Sequence, residues 1–389
     1  MRIGSGLWNV IKREVRLLTS RPIYLVGMTV IPICMALFFV SLLSEGLPTK
    51  VPAAVVDLDH TQTSRQMTRS LKAMELVDIR GDLDSYNKAM DAVQRGEIYG
   101  FFLIPDNFER DAVGGRGTKL TFYSNLTFYV PGTLVFKGFK TMGVTTSGRI
   151  VQTSLSSKGV PDGLSGVLLQ PMTINNHPLK NPWLNYSYYL STSFLPGVLQ
   201  LMIFLMTAYA FCHEIKTGGT RQWLAAGNGD IWTAIIGKLA PQTLVFTVMG
   251  LGMNALMFHY LHFPQNCPTW HMTLGMVLFV IACQSFAVFI CEVMPNLRLA
   301  LSLCSLTGIL AFSVAAFSFP VQAMYGGIAI FSYILPVRWY FLIYIDQALN
   351  GMALYFSRYY YAVLLIFPIL AMLCAPLLRK TAKNPVYVP

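Results

Sequence analysis

Ionisable side chains are scarce in the apolar stretches of this chain, and the few present define the chemistry open to it. Asp57 and Asp59, followed by Ser64 and Arg65, would suit acid/base or metal chemistry. A structural role fits them better: Asp57 ends a β-rich run, and Asp59 to Thr63 offers side-chain oxygens to cap a following helix. His259, His262, Cys267 and His271 gather metal-binding side chains, yet their irregular spacing fits histidines at headgroup depth better than a ligand set. Gly237-Lys238 ends like a phosphate-cradling loop, but Trp232 stands where that loop needs its first glycine and Leu239 where it needs a hydroxyl, so this chain is expected to bind no ATP.

Glu14, Arg338 and Asp346 remain. At 100° per residue, Leu7, Trp8, Val10, Ile11, Val15 and Leu18 share one helix face and Lys12, Arg13 and Arg16 the opposite one, the pattern of a helix lying in a membrane interface over residues 1–22. Glu14 projects within the apolar face, where an unpaired carboxylate is costly. It is expected to pair with a basic residue of a later loop, Lys216 or Lys238, and to transmit motion through that contact. Arg338 and Asp346 are the only charges of an apolar stretch over 328–354, and eight residues of helix would hold them about 12 Å apart along the axis. Each is therefore expected to pair with a neighbouring helix, or to anchor at the interface beside Trp339, Tyr340 and Tyr344.

The elements that must position these residues are membrane spans. Of the 389 residues, 54% are hydrophobic and 12% charged, and mean hydropathy is +0.51. Runs of roughly 20 apolar residues, the length needed to cross a bilayer, occur at 23–43, 194–212, 239–261, 272–291, 299–319 and 359–378. The first is too long for a cleavable leader and lacks a small-residue cleavage motif after Leu43. A seventh stretch, 328–354, is interrupted by Pro336 and reads as two short helices dipping into the bilayer from one face.

Charge sets the expected orientation. Outside the polar block from Glu45 to Ser187, every basic residue except Arg338 and Arg358 falls on the amino-terminal segment, on 214–238, on 292–298 or on the tail 379–389. Those segments are expected in the cytoplasm, with both termini inside and the block outside. The net charge of +11 then reflects topology; no basic stripe interleaves with aromatics, so nucleic acid is not an expected partner. Of the seven cysteines, all but Cys267 lie in or at the ends of spans, which indicates no disulfide framework.

The block over 45–187 reads as α/β. Strands are expected at 53–56, 76–79, 99–104 and 119–123, and helices at 63–74, 85–95 and about 134–157. The predicted fold class is therefore an α-helical polytopic membrane protein with six transmembrane helices and an extracytoplasmic α/β domain between the first and second.

Pro52-Ala-Ala-Val-Val-Asp-Leu-Asp-His-Thr-Gln-Thr-Ser-Arg65, then Ala92-Val-Gln-Arg-Gly-Glu-Ile-Tyr-Gly-Phe-Phe-Leu-Ile-Pro105 and Asp106-Asn-Phe-Glu-Arg110, resemble the extracytoplasmic domain of bacterial ABC type-2 exporter permeases. The likeness extends over nearly the whole chain. After the second span, His213-Glu-Ile-Lys-Thr-Gly-Gly-Thr-Arg-Gln-Trp-Leu224 with the later Gly237-Lys238 is similar to the family's cytoplasmic signature, matched at Glu214, Gly219, Thr220, Leu224 and Lys238. It departs at Gly218, where the family has a bulkier residue, and at Ala225-Ala-Gly-Asn228, which replaces a stretch ending in Thr-Pro.

The resemblance implies the permease subunit of an efflux system in the bacterial inner membrane, and the few ionisable residues in the spans suit a hydrophobic or amphipathic substrate such as a drug or lipid. It implies a re-entrant element before the last span, a cytoplasmic ATP-binding subunit that carries ATP and magnesium, and a second permease subunit, identical or paralogous. Membrane lipid surrounds it, and the size of the outward block makes a periplasmic adaptor a candidate partner. Two other classes compete with this reading. A membrane-embedded enzyme would need a nucleophile and base at one depth, which the spans do not offer. A membrane-anchored receptor or scaffold displaying the block would not need six spans.

Overall fold

A computed structural model describes residues 2–383 apart from 44, 45, 47, 115, 117, 158, 160, 162–184, 316 and 318. The end of the polar block and the last six residues of the tail lie outside the described residues. The chain divides into two compact units, residues 47–177 and the remainder.

In chain order the elements are α1 (Arg2–Ser20), α2 (Pro22–Leu42), β1 (Val51–Asp57), α3 (Gln62–Lys72), β2 (Val77–Asp82), α4 (Tyr86–Gln94), β3 (Gly100–Ile104), α5 (Phe108–Val113), β4 (Thr121–Ser124) and α6 (Tyr129–Ser157). There follow α7 (Tyr186–Lys216), α8 (Thr220–Ala226), α9 (Ile231–Tyr260), α10 (Thr269–Val293), α11 (Leu297–Val314), α12 (Gly326–Tyr333), α13 (Pro336–Leu349) and α14 (Leu354–Lys383).

The unit over 47–177 is built on a four-stranded sheet of order β2-β1-β3-β4, with β1 parallel to β2 and β3 and with β4 antiparallel to β3. Strand β1 is apolar almost throughout because both its faces are covered. Val51, Ala53 and Val55 pack with Met67 and Leu71 of α3 and Val135 and Phe139 of α6. Ala54 and Val56 point the other way, onto Ala89 and Ala92 of α4. The period of two that separates these sets is the pleat of the strand. Thr61 caps α3 by accepting from the Ser64 N–H at 3.3 Å, and Ser85 caps α4 by accepting from the Lys88 N–H at 3.4 Å. The Asp57 carboxylate closes the turn after β1: its Oδ1 accepts from the Asp59 and His60 N–H groups, each at 3.1 Å, and its Oδ2 accepts from the Ser64 hydroxyl at 2.7 Å. These contacts describe a turn and a cap.

Among the described residues, the second unit contains six helices long and apolar enough to cross a membrane: α2, α7, α9, α10, α11 and α14. Helix α10 lies at their centre, packed on α14, α7, α9, α11 and α13, while α11 and α2 pack on α7. The apolar faces of α2, α11 and α14 remain largely exposed, as suits helices solvated by lipid. Helix α11 ends at Val314, short of the run expected to reach Phe319. Pro320 bars helix from Phe319 onward, because a proline restricts the residue before it and offers no N–H, yet α11 ends several residues earlier. Helices α12 and α13 bend by 77° across Ile334-Leu335. Pro336 occupies the first turn of α13, where a missing N–H costs nothing.

Candidate functional site: a closed ring of buried charge

Helix α1 lies along α9. Its buried stripe is Gly6, Val10 and Glu14, one residue per turn, along one edge of the expected apolar face, while Trp8 and Val15 at the other edge are 57% and 45% exposed. The hydrophobic pattern alone could not distinguish a face turned to protein from one turned to lipid. A Cβ on Gly237 would stand 2.8 Å from Val10, so glycine there lets α1 and α9 approach closely.

Glu14 enters this interface with three other charges. Lys238 of α9 donates from Nζ to Glu14 Oε2 at 3.0 Å and to Glu214 Oε2 at 2.6 Å. Arg13 donates from Nη1 to Glu14 Oε1 at 2.6 Å and from Nη2 to Glu214 Oε1. The contacts close a ring, Arg13–Glu14–Lys238–Glu214, in which both oxygens of each carboxylate are used and positive charge equals negative. Glu14 and Lys238 are each 2% exposed and Glu214 7%. Such burial is tolerable because every charge faces its opposite. Partial burial works against the charge of Arg13, yet its hydrogen bonds and attraction to Glu214 and Glu14 hold its guanidinium above its ordinary value.

Aromatic rings and glycines complete the enclosure. The Lys238 ammonium stands 5.6 Å from the ring centroids of both Phe211 and Trp223, a cation–π contact on two sides. Trp223, in α8, is fixed by its own donation from Nε1 to the Ala234 carbonyl at 3.1 Å. Between α7 and α8, Gly218 takes φ of +73° as the chain leaves the helix, a conformation glycine adopts without strain. At Gly219 a Cβ would stand 3.1 Å from Glu214 Oε1, inside the space the carboxylate needs. Thr220 and Leu224, both buried, seat α8. Asp230 caps α9 by accepting from the Thr233 N–H at 3.0 Å and hydroxyl at 2.6 Å.

Glu14 thus meets Glu214 and Lys238, which lie 200 and 224 residues further along the chain, with Gly219, Thr220 and Leu224 around them. Lys216 takes no part in the ring; it is exposed in the last turn of α7. Arg13, assigned by the helical wheel to the polar face, belongs to the ring. Its long side chain turns inward, a reach that a wheel drawn on Cα directions does not include. One signal pointed to it: two buried glutamates need two cations, and Lys238 supplies one.

Arg338 and Asp346 lie in α13 and do not meet. Arg338 Nη1 donates to the Ser332 hydroxyl at 3.3 Å, and its guanidinium stands 4.8 Å from the Tyr333 ring centroid, so it braces the bend between α12 and α13. Asp346 Oδ2 accepts from the Ser357 hydroxyl of α14 at 3.4 Å, and Ser357 accepts from Gln347 Nε2 at 2.7 Å. The chain of contacts ends at His271, whose Nδ1 meets Gln347 Oε1 at 2.6 Å. His271 is therefore a packed, hydrogen-bonded side chain, contrary to its expected place among headgroups, while His259 and His262 are exposed. Among the described residues, no three of His, Cys, Asp and Glu gather as metal ligands.

Among the described residues, six apolar helices, a large polar insertion after the first of them and a charge ring where an amphipathic helix meets the bundle define a polytopic membrane protein. The chain belongs to the ABC-2 family of transporter proteins, whose pattern it matches over residues 22–377. It is thus a membrane permease component of an ABC transporter. Comparison with curated proteins finds no match.

Proposed function

We propose that this chain is the permease subunit of an exporter driven by ATP hydrolysis on a separate cytoplasmic subunit, which would also hold the magnesium. The ring of Arg13, Glu14, Glu214 and Lys238 carries the reading. It ties α1 to the ends of α7 and α9, with α8 packed against it, so a push on α1 or α8 would reach two spans through one rigid joint. A short helix between two spans, exposed at Arg221 and Gln222, offers the ATP-binding subunit a surface to engage.

In this reading the ring, both termini and α8 face the cytoplasm of a bacterial cell, in agreement with the clustering of basic residues on those segments. The α/β unit over 47–177 then lies outside the inner membrane, where a periplasmic adaptor could dock. A second permease, identical or paralogous, completes the path, which alternates between inward-open and outward-open states. Few ionisable residues line the spans, and a hydrophobic or amphipathic substrate, a drug or a lipid, suits such a path.

The test is to purify the chain from native membranes in mild detergent and to measure ATP hydrolysis in the same sample. A stoichiometric ATP-binding subunit with vanadate-sensitive activity is expected, and Lys238→Met should uncouple that activity from substrate. A chain that purifies alone with no hydrolysis would overturn the proposal.

A further inference from the structure

Glu292 sits in the last turn of α10, 3% exposed, and neither of its carboxylate oxygens has a hydrogen-bond partner or meets solvent. It contrasts with Glu14 and Glu214, whose oxygens are all engaged by cations. Its place on the helix adds to the cost of charge, since the carbonyl end of a helix is the negative end of its dipole.

Among the described residues, the elements packed on α10 bring no cation into contact with it. Toward this end, α7 carries Cys212, His213, Glu214 and Lys216, α9 carries Lys238, and α11 carries Arg298 and Cys304. Helix α14 adds Cys374, Arg379 and Lys380, and α13 holds Arg338 and Asp346. Lys238 is committed to the ring, Arg379 donates to the Gly229 carbonyl at 3.4 Å, and among the described residues no ion pair joins Glu292 to any of these groups. The adjacent thiol of Cys291 supplies no positive charge. An ionised carboxylate here would lack water, donor and counter-ion together, and protonation removes that cost.

We propose that Glu292 is a proton-binding site of this permease, holding a proton while the end of α10 is packed as seen here and giving it up to water when the turn between α10 and α11 opens. The surface is close by, because the next two residues, Val293 and Met294, are 52% and 40% exposed. The step is balanced: the carboxyl O–H breaks, the proton passes to water, and reburial reverses it. Proton activity on that one side of the membrane then biases the conformational equilibrium, low pH favouring the packed state and high pH the open one. This inference rests on the packing of α10 and does not depend on which ATP-binding partner the permease has.

Infrared difference spectroscopy on the full chain in lipid nanodiscs at neutral pH tests it, comparing wild type with Glu292→Gln. The carbonyl band of a protonated carboxyl is expected in wild type and lost in the variant. Loss of a carboxylate band instead, with the protonated-carboxyl region unchanged, would overturn the proposal. Should Glu292→Gln not fold, the same band is followed in Glu292→Asp and in wild type as pH is raised. Its conversion to carboxylate above neutrality supports the site, and its absence at every pH above that of ordinary carboxylates refutes it. A separate readout is thermal unfolding: the wild-type Tm should fall as pH rises through neutrality, because the unfolded chain ionises Glu292 and the folded chain does not, and Glu292→Gln should lack that component.

Discussion

Lys238 carries one positive charge between two carboxylates and two aromatic rings, with almost no exposure. Removing a single member of such a ring leaves an uncompensated charge in the interior, so Lys238→Met or Glu14→Gln should each destabilise the chain by about 3–5 kcal/mol. The double variant Glu14→Gln/Lys238→Met should lose less than the sum, because the two vacated charges compensate each other. Unfolding transitions in detergent for the four members of the cycle check this, and simple additivity would show that the two side chains act independently. Gly218→Ala should cost about 1 kcal/mol through its positive φ alone. Gly219→Ala should act differently, by pushing the Glu214 carboxylate out of register, so it is expected to lower stability through the ring and to do so less in a Glu214→Gln background.

Helix ends decide how the elements meet. Asp230 caps α9, and Asp230→Ala should cost about 1 kcal/mol. Slight burial opposes ionisation of Asp230, but its hydrogen bonds from Thr233 hold the carboxyl below the usual aspartate range. Its contribution is therefore present at neutral pH and above the unfolded value, and is lost as pH falls through the lowered folded value. Wild type and Asp230→Ala should accordingly converge in stability in acid, which a series of melting curves would read. At the bend between α12 and α13, Gln200 Oε1 accepts from the Val337 N–H at 2.8 Å, satisfying an orphan donor at the start of a helix. Gln200→Leu should leave that N–H buried and unpaired at a cost of about 1–3 kcal/mol. Faster hydrogen exchange over residues 326–349 would register it, and unchanged exchange there would refute the capping role.

At the scale of the molecule, each unit has its own apolar core. Residues 47–177 bury two layers on opposite faces of one sheet, and the helices of the remainder pack among themselves. Expressed alone, residues 47–177 should therefore be soluble and give a cooperative melting transition. A non-cooperative melt would show that the layers need the rest of the chain.

Apolar run lengths determined the spans, and short β-rich runs between helical ones determined the strands, because both are local properties of the backbone in its solvent. The signature around Glu214 and Lys238 was likewise legible, as was the need of Glu14 for a cation. Tertiary structure alone decided which cation that was, why Arg13 joined the ring and which edge of the apolar face of α1 turned to protein. The reason is physical: side-chain reach and helix packing set those contacts, and an apolar stripe reads the same whether lipid or protein covers it. Glu292 shows the same limit from the other side, since its sequence neighbours place it near a helix end, but only the packing of other helices around α10 leaves its carboxyl without a partner.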